Sequence, residues 1–243
     1  MARRRIAKSK CVVLVPVSHH IEPATEKALS RLEDAGYTVW RVYGLSDIAR
    51  GRSKLASAAL EAGFEQLMWI DADVVFEPAA VDRLRSHGLP MVCGIYPAKA
   101  ARRLTCATLG DEPEFVFGEG GGLVELRYAA TGFLLTHRSV YERVREHHQL
   151  PTCTDGDERL WPFFLSLVVQ EAGGNHAYLS EDFSFSHRAR EAGFQVMADT
   201  TIRLGHVGSY VYSWEDAGMA LRRVPSYRLR LCKRIEPDPS SAA

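Results

Sequence analysis

The first hundred residues alternate between two periodicities. Cys11–Val17 is a continuous apolar, β-branched run, the pattern of a strand buried on both faces. Pro23–Ala35 carries Ala24, Ala28, Leu29 and Leu32 at helical spacing and ends at Gly36. Tyr37–Tyr43 reads as a second strand. Ile48, Leu55, Ala56, Ala59 and Leu60 mark one face of the next helix, capped by Ser46 or Asp47 and stopped at Gly63. Gln66–Ile70 is a third strand that runs straight into Asp71-Ala72-Asp73. Glu77–Ser86 predicts a further helix and Met91–Ile95 a further strand. Strands spaced by helices imply a parallel sheet with right-handed crossovers.

After Tyr96 the pattern changes. Residues 102–136 hold short strand-like pieces around Gly118 and Gly120-Gly121-Gly122, without a helical period. Arg138–His148 is a predicted helix, Thr152–Leu160 a polar loop, and Ser180–Ala192 a helix with Ser180 as N-cap and Gly193 as its stop. Phe194–Met197 and Thr201–Gly205 read as short strands, and the Pro/Ser-rich tail from Glu236 as disordered. The expected organisation is a basic extension (1–10), a nucleotide-type α/β half (11–100), a mixed half of the same domain (101–215) and a basic C-terminal segment with its tail (216–243).

Composition narrows the function classes. In 243 residues, 30 basic side chains balance 30 acidic ones, so a general attraction to nucleic acid is not expected. The longest apolar runs, Cys11–Val17 and Phe163–Val169, are far shorter than the ~20 residues that span a bilayer. The basic Met1–Lys10 followed by an apolar run faintly resembles a secretory signal, but Pro16 and His19-His20 fit a first buried strand better. Five scattered cysteines without a CxxC pair fit neither a disulfide framework nor a zinc site and suit a reducing cytoplasm. Leu221–Arg234, with Arg222, Arg223, Arg228, Arg230, Lys233 and Arg234, is read as a solvated or lightly membrane-associating face.

Candidate chemistry gathers at strand ends. Strand residues two apart face the same side, so Asp71 and Asp73 can converge at the carboxyl edge of the third strand, where open α/β sheets bind ligands. Two oxygen donors there suit Mg²⁺ or Mn²⁺ holding phosphate, although a bare pair of acids also fits a solvated turn. Glu181 and Asp182 open a helix, where acids favour the dipole; one of them could instead be a general base. His206, between Gly205 and Gly208, is a structural histidine or a third metal ligand. Arg50, Arg52 and Lys54 oppose the dipole of their helix, an arrangement that an anionic ligand would justify, and Lys99 is a similar candidate.

Taken in order, Val-Pro-Val at 15–17, Asp47-Ile-Ala-Arg-Gly-Arg-Ser-Lys-Leu55, Trp69-Ile-Asp-Ala-Asp-Val74, Gly94-Ile-Tyr-Pro-Ala-Lys99, Thr131-Gly-Phe133, Ser180-Glu-Asp-Phe-Ser-Phe-Ser-His-Arg188 and Gly205-His-Val-Gly208 resemble the GT-A glycosyltransferases, and within them the inverting, family-2-like bacterial enzymes. The resemblance runs from Val13 to about Tyr212. It implies an α/β GT-A fold, with a Rossmann-like nucleotide-binding half and a mixed sheet continuing into an acceptor half. It implies metal-dependent, inverting transfer of a single sugar from a nucleotide diphosphate donor, a UDP-sugar before a GDP-sugar, to an acceptor hydroxyl. Asp71 and Asp73 would bring in Mn²⁺ or Mg²⁺, with Asp73 ahead as direct ligand and His206 completing the protein's share. Pro16, Val17 and Ser18, with Asp47, Arg50, Arg52, Ala72 and Lys99, would face the donor. Thr131 and Gly132 would line the donor–acceptor junction. Asp182 would be the general base, ahead of Glu181. The chain lacks the family's Gln-x-x-Arg-Trp motif and flanking membrane helices, so a soluble, non-processive enzyme fits it better than a polymerase.

Thr152–Trp161 would be a mobile acceptor loop, and Trp161 and Trp214 are read as buried aromatics before sugar-stacking ones. A retaining transferase of the same fold and a non-catalytic sugar-nucleotide-binding module are the alternatives. A sugar-1-phosphate nucleotidyltransferase would need a Gly-rich, Arg-containing loop where Ser18-His-His-Ile-Glu-Pro23 stands. A dehalogenase-type phosphatase would need its DxD on the first strand rather than the third.

Overall fold

The computed structural model describes residues 6–99, 103–110, 114–171, 173–218 and 226–231. The first half follows its periodicities: β1 (Cys11–Val17), α1 (Pro23–Asp34), β2 (Thr38–Tyr43), α2 (Ile48–Glu61), β3 (Gln66–Ile70), a two-residue β4 (Val74–Val75), α3 (Ala79–Ser86) and β5 (Met91–Cys93). Gly36 and Gly63 end the first two helices with φ of 88° and 79°, a region that other residues enter only with strain. β1 takes β2 on one side and β3 on the other, both parallel.

The second half supplies β6 (Ala107–Thr108), β7 (Glu114–Gly118), β8 (Leu123–Tyr128), β9 (Phe133–His137), α4 (Arg138–His147), β10 (Cys153–Asp155), β11 (Glu158–Leu160), β12 (Leu167–Gln170), β13 (His176–Leu179), α5 (Glu181–Glu191), β14 (Val196–Asp199), β15 (Gly205–Val207), β16 (Val211–Tyr212), α6 (Trp214–Ala217) and β17 (Ser226–Arg230). Strands of both halves interleave in one eight-stranded sheet of order β2-β1-β3-β9-β5-β14-β8-β6. β9 enters antiparallel between β3 and β5, so the sheet is mixed and not parallel throughout.

Three local expectations are corrected. Thr152–Leu160 is a hairpin of β10 and β11, pinned to α2 by Lys54 on Asp155 (2.7 Å) and Glu158 (2.6 Å) and by Arg50 on Asp155. Thr201–Gly205 is not a strand: Asp199 captures the Thr201 N–H and hydroxyl, holding a turn, and pairing resumes only at β15. Within the basic segment, β17 pairs with β7, and Arg228 and Arg230 both reach Glu114. Arg222, Arg223, Lys233, Arg234 and the tail lie outside the described residues. Cys11, Cys93, Cys106 and Cys153 are free. Among the described residues, no helix is long and apolar enough to cross a membrane.

The sheet's alternation builds two cores. Val12, Leu14, Leu67, Trp69 and Leu134 face α2, α4 and α5, while Val13, Val15, Met68, Ile70 and Leu135 face α1 and α3. On the first face, the Trp69 indole N–H donates to the Tyr141 hydroxyl (2.8 Å), and Phe164 stacks on Phe185. The segment from Trp161 to Leu165 closes this core without regular structure, so its backbone needs other partners. Ser57 and Ser53, one turn apart on α2, accept the Trp161 and Phe164 N–H groups, and buried Arg188 donates to the Phe163 and Leu165 carbonyls.

On the opposite face, fully buried Asp199 at the end of β14 accepts from Arg83 (2.7 Å) and from His87 (2.8 Å), tying α3 to the sheet. Burial alone would raise its carboxyl pKa; the bonds from Thr201, His87 and Arg83 outweigh it and hold the value at about 2, below the ordinary 3.8. The folded state therefore binds this proton more weakly than the unfolded chain. The stabilisation is full above the unfolded value and is lost as the pH falls through 2. Asp199→Asn should lower stability at neutral pH by about 2 kcal/mol. In urea unfolding, its gap from the unmodified protein should shrink between about pH 5 and pH 2.

Candidate active site

The site starts from the alternation of β3. Leu67 and Trp69 face α2 and α5, and the next position of that face beyond the strand is Asp71. Arg52 of α2 lies over the Trp69 ring, 5.8 Å from its centre, and its Nη2 donates to Asp71 Oδ1 at 2.8 Å. Its Nε stands 3.8 Å from Glu181 Oε1 at the start of α5. Arg52 is only 4% exposed, and Nε and Nη1 have no hydrogen-bond partner. Burial would lower its pKa; the charges of Asp71 and Glu181 outweigh that and raise it.

The opening turn of α5 presents two acids with separate surroundings. Ser180 is the N-cap residue, yet its side chain caps nothing: the hydroxyl donates to Asp182 Oδ1, which also accepts the Phe183 N–H at 2.8 Å. Burial raises the Asp182 pKa against the pull of those two bonds. Burial and the charge of Asp182 raise Glu181, opposed by Arg52. Glu181 is thus the acid facing Arg52, and Asp182 the one held by its own turn.

Past Ile70 the strand alternation stops, and Asp71 and Asp73 take different partners. The Asp71 N–H donates to the Gly132 carbonyl and the Val74 N–H returns to the Asp71 carbonyl at 3.1 Å, so residues 71–74 form a turn. Antiparallel pairing of β4 with β15 aligns Val74 with His206, and the Val207 N–H donates to the Asp73 carbonyl. Asp73 Oδ1 lies 3.6 Å from His206 Nε2, and Lys99 donates to Oδ2. Burial would raise the Asp73 pKa; His206 and Lys99 outweigh it and bring it to about 2. His206 Nδ1 donates to the Pro97 carbonyl at 2.9 Å, which leaves Nε2 with the lone pair in the neutral ring.

That donor set fits a divalent cation held with help. A carboxylate and an oriented imidazole suit Mn²⁺ or Mg²⁺, but Asp71 is turned to Arg52. Among the described residues, no group of three His, Cys, Asp or Glu side chains could hold a metal ion. Asp73 and His206 could therefore supply two positions, with ligand oxygens supplying the rest.

Close to these acids lies buried Tyr96, which in the sequence stood only within Gly94-Ile-Tyr-Pro-Ala-Lys99. Burial, then the charges of Asp71 and Asp182, raise its pKa far above the ordinary range, so the phenol stays a hydrogen-bond donor. Its ring meets His206 edge-on, with centres 5.0 Å apart. Gly132 passes beneath it, and the neighbouring Thr131 hydroxyl is buried without a partner.

Other expected donor-side residues lie apart from this cluster or hold the scaffold. Pro16 and Val17 are buried in β1, and Ser18 is exposed beyond it. The Ala72 carbonyl accepts the Glu22 N–H. Asp47 caps α2 by accepting the Arg50 N–H, while the Arg50 side chain turns to Asp155. Trp214 is buried on Phe117 and Arg203, and Trp161 packs on Phe163 and Arg145.

The sheet order gives a mixed α/β, Rossmann-like architecture of the GT-A type. Among solved structures, the chain is similar to the crystal structure of A197 from STIV, with a TM-score of 0.53 and 15% identity over 88% of this chain and 97% of that one. At that identity the likeness concerns the fold alone. No protein-family model and no curated protein sequence matches the chain.

Close packing at Gly132 yields a test. A methyl group there would overlap the Tyr96 hydroxyl and come within 2.7 Å of Asp71 Oδ2. Gly132→Ala should destabilise the protein by about 1–3 kcal/mol. Adding Tyr96→Phe, which removes the overlapped oxygen, should recover part of that loss in a thermal-unfolding double-mutant cycle.

Proposed function

We propose that this chain is a divalent-cation-dependent glycosyltransferase that moves one sugar from a nucleotide diphosphate donor, by default a UDP-sugar, to an acceptor hydroxyl with inversion. The observation that carries this reading is one buried phenol that lies within the electrostatic reach of three carboxylates and against the imidazole of His206. Tyr96 feels the charges of Asp71, Asp182 and Asp73 and touches the ring of His206. That arrangement supports a leaving-group side at Asp73 and His206 and a proton-accepting side at Asp182.

Asp73 and His206 would hold Mn²⁺ or Mg²⁺ with the diphosphate oxygens. When bound, such a cation supplies a Lewis acid that neutralises the charge growing on the departing diphosphate. Asp182 takes the proton of the acceptor hydroxyl, and its raised pKa improves its match to that task. The hydroxyl oxygen forms its bond to the anomeric carbon on the face opposite the diphosphate. The bond from that carbon to the phosphate oxygen breaks, and its electron pair leaves with the diphosphate. Glu181 stays with Arg52, which keeps the second acid from competing for the same proton. The unpartnered Thr131 hydroxyl supports a ligand hydrogen bond at the junction above Gly132. Of the expected donor-facing residues, exposed Ser18 and partly exposed Lys99 remain on that side in this reading, while Pro16, Val17, Asp47, Arg50 and Arg52 hold the scaffold.

Thermal shift against UDP, GDP, CMP and dTDP, each with and without Mn²⁺, tests the assignment. A nucleotide at ~100 times its dissociation constant should stabilise the fold by about 2.7 kcal/mol, and UDP should do so only with Mn²⁺. No shift with any nucleotide would remove the donor-site reading. Asp73→Ala should abolish the shift. Asp182→Asn should keep it and lose sugar transfer; transfer retained in that variant would exclude Asp182 as base. Because the Asp182 pKa is raised, kcat should fall with decreasing pH at values above the ordinary aspartate range.

A further inference from the structure

Lys99 occupies the carboxylate that the proposed function assigns to the cation. Its ammonium donates to Asp73 Oδ2, while His206 Nε2 stands 3.6 Å from Oδ1. The lysine is not there by the accident of a long side chain. Pro97 accepts from His206, Ala98 bonds to Arg103, and the Tyr96 carbonyl takes the Thr105 N–H, which together fix the backbone on either side. The aliphatic stem lies along Gly208: a Cβ there would stand 3.3 Å from Lys99 Cδ. Gly208 follows β15, so the strand that carries His206 also gives Lys99 its track to Asp73. Lys99 and Asp73 are both partly exposed, so the pair can open without unfolding anything around it.

We propose that Lys99 is the resident counter-ion of Asp73, displaced when cation and diphosphate arrive together. This inference rests on the reading of Asp73 and His206 as the cation-holding pair. Alone, a divalent cation competes with the Lys99 ammonium for the Asp73 carboxylate and lies beside that positive charge. A diphosphate changes that balance, because it gives the ammonium a new anionic partner while its oxygens fill the positions the protein leaves open. Lys99 thereby couples the two ligands: each binds weakly alone, and each strengthens the other by the same factor.

The test uses the full chain, with Mn²⁺ alone and Mn²⁺ with inorganic pyrophosphate as probes. Free Mn²⁺ is followed by electron paramagnetic resonance, and pyrophosphate binding by calorimetry. Lys99→Met should bind Mn²⁺ alone about three- to tenfold more tightly than the unmodified protein, and pyrophosphate in saturating Mn²⁺ more weakly by a similar factor. Lys99→Arg, which keeps the charge, should stay near the unmodified protein in both. Opposite signs in the two measurements separate this role from mere loss of structure, which would weaken both. Unchanged or weaker Mn²⁺ binding by Lys99→Met overturns the inference, as does pyrophosphate binding that does not fall. Mn²⁺ binding by none of the proteins, with or without pyrophosphate, overturns the cation site as well. Equal binding by all three overturns the role of Lys99 alone.

Discussion

A guanidinium buried to 4% exposure is the constraint around which this molecule is arranged. Withdrawing a charge from water is unfavourable unless opposite charge is brought with it, and Arg52 finds Asp71 at 2.8 Å and Glu181 at 3.8 Å. Those three residues belong to α2, the end of β3 and the start of α5. One electrostatic requirement therefore fixes where two helices meet the sheet's carboxyl edge. The aromatic layer of Trp69, Phe164 and Phe185 seals the same junction from below.

That requirement also divides the acids. Asp71 and Asp73 are separated by one residue, yet the turn after Ile70 sends one to Arg52 and the other to His206 and Lys99. Glu181 and Asp182 are adjacent, yet one faces Arg52 and the other is held by Ser180 and its own helix turn. In each pair one carboxylate is committed to Arg52 and its neighbour takes separate partners. Ser180 shows the same preference, because its hydroxyl gives up capping α5 to hold Asp182.

Much of this was legible in the chain. The apolar run of β1, the helical spacing of α1 and α2 and the glycines that end them depend on residues near one another in sequence, so they reported the α/β alternation directly. The acids at 71, 73, 181 and 182 were visible as chemistry at element ends. Hairpins β10–β11 and β12–β13 were not visible, because their stability comes from contacts far away, such as Lys54 with Asp155 and Glu158. Tyr96 stood in the chain as one residue of Gly94-Ile-Tyr-Pro-Ala-Lys99, and nothing in its neighbours says that its hydroxyl lies above Gly132.

Sequence by itself determined the layered α/β architecture, the strand ends at which charge collects and the residue types available there. Local periodicity and turn chemistry need no knowledge of the rest of the chain. Tertiary structure alone decided that β9 would enter antiparallel between β3 and β5, that Arg52 would be buried while Arg50 turned outward, and that His206 would lie beside Asp73. Each of those outcomes depends on pairings between segments that are distant in sequence, and the charges were distributed by which of those segments came together.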